Sequence, residues 1–133
     1  AGNACHIGCS FSLIEILAVL YRNWVRYPGN DPHAIERDYL VLSKGHGIMA
    51  QYACMHELGW LSQAMLDAYC SDGSPLKGLA DAHIPGVEAT TGSLGHGFSI
   101  GLGLALGANA YVTKPFATKD LIHQIAQLLG HSA

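Results

Sequence analysis

The chain has 133 residues, half of them apolar and only 13% charged, which gives room for one compact domain with a real core and little polar cover. A formal charge of −3 with seven Lys and Arg residues argues against nucleic acid or an anionic membrane as a partner. A mean hydropathy of +0.22 leaves apolar surface to hide, so a homo-oligomer is expected.

Taken in order, the first element predicted is a helix beginning at Ser12. Ser12-x-x-Glu15 has the form of a capping box, and Leu13, Ile14, Ile16, Leu17, Leu20, Trp24 and Val25 cover most of the circumference, as in a well-buried helix. The apolar run at 13–21 is too short to span a bilayer and contains Glu15, so no membrane segment is expected. Tyr27-Pro28-Gly29 ends the helix. A polar connection follows, in which Asp31, Glu36, Arg37 and Asp38 read as solvated. Tyr39-Leu40-Val41-Leu42 is a short apolar run predicting an interior strand. Ser43-Lys44-Gly45-His46-Gly47 turns the chain into a helix over 48–58, closed by Gly59. Lys44 and that helix's N-terminus could help to hold a phosphate.

Ser62 caps a short helix carrying Met65, Leu66 and Tyr69. Residues 71–86 form a loop long enough to be functional. From Gly92 to about Leu106 a glycine-rich helix is predicted, with Gly97, Gly101 and Ala105 on one side. Bare helix surface permits close approach and costs about 1 kcal/mol per glycine against alanine, which packing must offset. Ala110-Tyr111-Val112-Thr113 reads as a second strand, and Thr118 caps a last helix with Leu121, Ile122, Ile125, Leu128 and Leu129 on its apolar face. The class is therefore α/β, mostly helical with a small parallel sheet. In such sheets ligands sit beyond the carboxyl ends of strands.

His6, His46 and His83 lie in turn-like contexts and can exchange protons near neutrality. His33, His56, His123 and His131 look like surface residues. Cys5, Cys9, Cys54 and Cys70 form no C-x-x-C and suit a cytoplasmic protein with reduced thiols. Cys5, His6 and Cys9 match no zinc spacing, so no metal site is assigned.

Three motifs stand in order: Cys5-His6-Ile7-Gly8-Cys9-Ser10, then Leu42-Ser43-Lys44-Gly45-His46-Gly47, then Pro85-Gly86-Val87-Glu88-Ala89-Thr90-Thr91-Gly92-Ser93-Leu94-Gly95-His96-Gly97. Over residues 1–108 they resemble the opening of transketolases, especially the form whose N-terminal half is a separate subunit. The resemblance implies a fragment of a thiamine-diphosphate-binding fold and two-carbon ketol transfer between sugar phosphates. It places His6 at the donor sugar's hydroxyls, His46 near the cofactor's phosphates and the reacting centre, and Gly92 and Leu94 against the thiamine rings. Ser93 fills a variable position, and His96 stands where many relatives have glutamine. The family's Gly-His-Pro loop is replaced by Gly78-Leu79-Ala80-Asp81-Ala82-His83-Ile84-Pro85. His83 either occupies the same space from another position, as a third catalytic histidine, or is an ordinary loop residue.

Beyond Ala108 the family's Gly-Asp-Gly motif, which binds Mg2+, is not seen. Gly107-Ala108-x-x-Tyr111-x-x-Lys114-Pro115-Phe116 instead resembles the end of a response-regulator receiver, so residues 109–133 are expected as a receiver-like strand-helix tail packed in the same domain. No acceptor aspartate is evident for Lys114 to sense. The resemblance implies that a pyrimidine-domain partner subunit is needed and that the chain is inactive alone. The alternative is a recombined or chimeric structural domain without catalysis.

Overall fold

The structure is a computed structural model that describes residues 6–107. Its helices are α1 (Ile7–Phe11), α2 (Ile14–Asn23), α3 (Ile48–Glu57), α4 (Gln63–Asp67) and α5 (His96–Ala105), with 3₁₀ turns at Pro28–Asn30 and Gly45–Gly47. The strand expected at 110–113, the helix capped by Thr118, the receiver-like tail, Cys5, His123 and His131 lie outside the described residues.

α3 is the centre. Ile48, Ala50, Gln51, Tyr52, Cys54 and Met55 are all buried, so this helix is covered nearly all round. Burial pushes the Cys54 thiol up. At its end Gly59 adopts φ +82°. Gly59 N–H donates to the His56 carbonyl (2.8 Å) and Trp60 N–H to that of Met55 (2.9 Å). That pair of bonds is a Schellman stop, which needs a left-handed residue where glycine stands. Ser62 caps α4 as expected, its hydroxyl accepting from Met65 N–H. Leu17, Tyr21, Leu61, Leu76, Ile84 and Val87 complete the core around α3.

Several expectations are corrected. The helix read from Ser12 starts at Ile14 as α2, and a separate short helix, α1, precedes it across a break at 12–13. Ser12 Oγ donates to the Cys9 carbonyl (2.8 Å) and accepts from Lys44 Nζ (2.9 Å). The capping box does not form, and Leu13 precedes α2 without a side-chain cap. Nor is α2 buried on most of its circumference. Leu17 and Tyr21, one turn apart, are buried, whereas Ile16, Val19 and Trp24 are exposed. His56, read as a surface residue, is half-buried, and its Nδ1 lies 2.8 Å from the Leu61 carbonyl.

No strand occurs among the described residues. Their one β-bridge pairs Ala80 with Thr91 in antiparallel sense. Residues 39–42 keep the alternation of a strand, since Leu40 and Leu42 pack on the core while Tyr39 and Val41 face α5. A ladder, however, requires a neighbouring backbone, and none is seen within residues 6–107. The small parallel sheet is thus absent from the described part, which is helical.

α5 bears the expected glycine stripe. A Cβ on Gly97 would run into Ser43, and one on Gly101 would touch Val41 at 3.8 Å. Gly97 therefore lies against Ser43, Gly101 against Val41 and Ala105 beside Tyr39, so the helix runs antiparallel to 39–43. A cleft of about 320 Å3 lies between them, lined by Val41, Ser43, Gly97, Phe98, Gly101 and Leu102.

One side of the core is aromatic. Tyr27 packs edge-on to Trp60 with ring centroids 4.5 Å apart and stacks at 6.1 Å on Tyr21. The Tyr21 hydroxyl accepts from Gln51 Nε2 (2.8 Å). Burial raises the Tyr21 phenol far above its ordinary value. It lifts Tyr27 to about 12 and Tyr52 likewise to about 12. A phenol in the unfolded chain ionises near about 10. The stability these neutral groups contribute is whole below that pH and is lost as pH rises through the folded values. Alkaline titration should therefore show tyrosinate absorbance rising together with loss of helical circular dichroism between about pH 10 and 12. Full tyrosine ionisation with helix content unchanged would contradict this packing.

Candidate functional site

Three segments distant in sequence meet at one point. Gly45 carbonyl accepts from Ala80 N–H (3.2 Å), and Ala80 carbonyl accepts from Thr91 N–H (3.2 Å). Thr91 Oγ1 then donates to the Leu42 carbonyl (2.6 Å). A Cβ on Gly45 would collide with the Thr91 carbonyl and hydroxyl. Glycine is therefore the residue that lets the two backbones touch. On the far side of the same turn, a Cβ on Gly47 would run into the Leu13 side chain and approach the Cys9 carbonyl at 3.2 Å. The 44–47 turn is clamped between Thr91 and the α1–α2 corner.

This clamp brings two of the predicted histidines together. The rings of His6 and His46 meet edge to face, with centroids 4.7 Å apart. His6 is exposed and His46 half-buried. Lys44, bonded to Ser12, belongs to the same corner, beside the start of α3. The pair offers imidazole nitrogens able to donate or accept, with an ammonium group close by in the chain.

His83 does not join that contact. Its ring is 92% exposed, and its Nδ1 lies 2.7 Å from Asp81 Oδ1. The Asp81 carboxyl is held below the usual carboxylate range, first by the backbone N–H of His83 and then by its ring. His83 borders a separate cavity of about 200 Å3 with His33, Arg37 and Glu88. Arg37 corrects the reading of the 31–38 connection as merely solvated. Its Nε and Nη2 donate to the two Glu88 carboxylate oxygens at 3.1 and 2.9 Å, and the two side chains are 17% and 7% exposed. Arg26 and Asp38, by contrast, form an exposed pair.

Gly92 follows Thr91 directly and is half-buried, and a Cβ there would meet the Leu79 side chain at 3.4 Å. Leu94, on the turn into α5, is 71% exposed, and His96 is exposed as well. Gly95 begins α5 with φ +94°. Among the described residues no group of three or more His, Cys, Asp or Glu is gathered to hold a metal ion. Cys9, Cys54 and Cys70 are free thiols.

The sequence reading missed Thr91, Ala80 and Asp81. Nothing local marks the first two, because their role is to bond backbone from elsewhere; for Asp81 the D-x-H spacing was a usable signal. Thr91→Val keeps the shape of this buried residue and strands the Leu42 carbonyl. Thermal or urea unfolding should show a loss of about 1–3 kcal/mol. A change within experimental error would show that the hydroxyl does not hold the junction.

Comparisons with known proteins bear on the whole chain. Residues 1–127 match the family described as transketolase, thiamine diphosphate binding domain, a match that continues past residue 108, where the receiver-like tail was expected to begin. The chain is similar to one subunit of the apulose-4-phosphate transketolase of Phocaeicola vulgatus, with 38% identity over 105 residues, 79% of this chain and 37% of that protein. It is similar to the transketolase of Rhodobacter capsulatus at 34% over 134 residues, 98% of this chain and 20% of that protein. Chloroplastic transketolase of Spinacia oleracea is 38% identical over 132 residues, 97% of this chain and 17% of that protein. The chain thus spans between about a sixth and two fifths of these relatives. On the motifs, their clamped geometry and the match over residues 1–127, the chain belongs to the transketolase family, within its thiamine-diphosphate-binding domain.

Proposed function

We propose that this chain supplies the thiamine-diphosphate-holding side of a ketol-transfer enzyme acting on sugar phosphates, completed by a partner subunit carrying the pyrimidine-binding domain. The observation that carries the proposal is the His6–His46 contact at 4.7 Å, on a turn whose other end is bonded to the Thr91–Gly92 segment through Ala80. The relatives from Phocaeicola vulgatus and Actinobacillus succinogenes are each named as one subunit of a transketolase, which supports a divided enzyme. Exposed Ile16, Val19 and Trp24 on α2, with Phe98, Leu102 and Leu106 towards the C-terminus, support association with another subunit or a second copy of the chain. Free Cys9, Cys54 and Cys70 fit a reducing, cytoplasmic setting, and no helix among the described residues is long and apolar enough to cross a membrane.

The residues present suit the cofactor. Leu94 offers an uncovered apolar side chain for an aromatic ring, and Gly92 leaves backbone bare beside it. His46 and Lys44 stand where an anionic group would meet hydrogen-bond donors and positive charge. When bound, the cofactor supplies the nucleophilic carbon for two-carbon transfer. The chain's own part is to orient and to move protons: His6 takes the donor sugar's hydroxyls, and His46 the phosphate side and the reacting centre. His83, exposed on the 78–85 loop, is a third group able to exchange protons. Mg2+ would accompany the diphosphate, although the Gly-Asp-Gly motif that holds it in the family is not seen in this sequence.

A second reading, a recombined domain without catalysis, draws on the receiver-like set at 107–116, which lies almost wholly outside the described residues. Calorimetric titration separates the two. Thiamine diphosphate with Mg2+ should bind saturably, and His46→Ala should weaken binding about tenfold or more, the loss of one charge-assisted hydrogen bond. No heat at millimolar cofactor, with the chain folded, would sink the proposal.

A further inference from the structure

The loop that carries His83 is fastened more closely than its exposure suggests. Ala80 N–H bonds to the Gly45 carbonyl and Ile84 N–H to the Asp81 carbonyl (3.1 Å). Ala82 N–H donates to Thr90 Oγ1 (3.0 Å). Ile84, 4% exposed, anchors the loop in the core. His83 therefore stands three residues from a backbone bond to the His46 turn, on a support with little freedom. Its ring nevertheless projects into solvent.

Asp81 Oδ1 receives two bonds from this one residue, from the backbone N–H at 3.0 Å and from ring Nδ1 at 2.7 Å. An ionised carboxylate has only acceptors to offer, so the proton of that second bond belongs to Nδ1. The hydrogen bond at one ring nitrogen sets what the other can do. Nε2 is then left as a lone pair pointing outward. An exposed pair of this kind contributes little to stability, so what it changes is orientation and tautomer.

We infer that Asp81 is a positioning residue that holds His83 as an outward-facing acceptor for a hydroxyl group of the substrate. This deepens, and rests on, the ketol-transfer reading. The chemistry selects between the two ends of a sugar phosphate. A lone pair backed by a carboxylate repels a phosphate and welcomes an O–H donor. His83 is thereby assigned to the polyhydroxy end, the phosphate being left to other groups. The D-x-H arrangement answers the question left by the sequence: His83 is a held side chain, not a wandering loop residue.

The test uses the full chain labelled with 15N, and long-range 1H–15N spectra of the His83 ring, assigned with His83→Gln and recorded where the ring is neutral. Nδ1 should be protonated and Nε2 bare. Asp81→Asn keeps a carbonyl oxygen for the His83 backbone N–H and so preserves the loop, as circular dichroism would verify. It should cut the ratio of Nδ1–H to Nε2–H tautomers several-fold. A ring already in the Nε2–H form, or a ratio that Asp81→Asn leaves unmoved, overturns the positioning role. With thiamine diphosphate and Mg2+ present, a five-carbon ketose phosphate should move the Nε2 signal, and Asp81→Asn should weaken that titration about threefold to tenfold with the cofactor midpoint unchanged. Ketose binding without movement of Nε2 overturns the hydroxyl assignment. Failure of the cofactor itself to bind would strike the ketol-transfer reading instead, and the tautomer ratio would still decide the role of Asp81.

Discussion

The contact between Gly45 and Thr91 is one that only glycine allows. A backbone carbonyl occupies the space of a side chain, and two hydrogen bonds through Ala80 tie the same point to a third segment. Every residue assigned to the site lies close to that junction along the chain or against it in space. His46 follows Gly45, Gly92 follows Thr91, and Asp81 follows Ala80. His6 is added by α1, which presses on the 44–47 turn where Gly47 makes room. The arrangement explains how a protein with no sheet in its described part can still fix several loops in register. Backbone-to-backbone closure replaces the ladder as the framework.

Around that framework burial is uneven. α3 is enclosed on almost every side, while α2 presents one buried stripe and an outer face with Ile16, Val19 and Trp24 uncovered. The high apolar content of the sequence is thus only partly taken up by the core. α5 has the same two-sidedness, since its glycine edge lies on 39–43 and Phe98 and Leu102 are largely exposed. Arg37 and Glu88 show the complementary case: a mostly buried ion pair joins the 31–38 connection to the loop before Thr91, with the Arg37 guanidinium also 4.5 Å from the centre of the Tyr39 ring.

Features governed by near neighbours were legible in the sequence. Gly59 ends α3, Ser62 caps α4, and the Gly97–Gly101–Ala105 edge faces a close neighbour, each because the signal and its partner lie within a few residues or on one helix face. Features that depend on distant partners were not. Ser12 looked like a helix cap, but Lys44, far along the chain, takes its hydroxyl. Arg37 looked solvated because Glu88 lies fifty-one positions away. The 39–42 run has the alternation of a strand, yet a strand is a relation between two segments, and periodicity reports only one. Of the site, His6 and His46 were recoverable through their motifs. The exposed setting of His83 was not, because the loop at 78–85 departs from the family's pattern, and only the D-x-H spacing hinted at its tie to Asp81.

The two tryptophans differ in a way that makes the molecule its own optical reporter. Trp60 is tied to Asn30 through its indole N–H (2.9 Å) and lies against Tyr27 and Tyr21, whereas Trp24 is 72% exposed at the end of α2. Their emission should therefore divide into a blue component that follows the integrity of the core and a red component that follows the outer face of α2. Anything that covers that face would shift one band and leave the other in place, so association and unfolding would be distinguished in a single spectrum without any added dye.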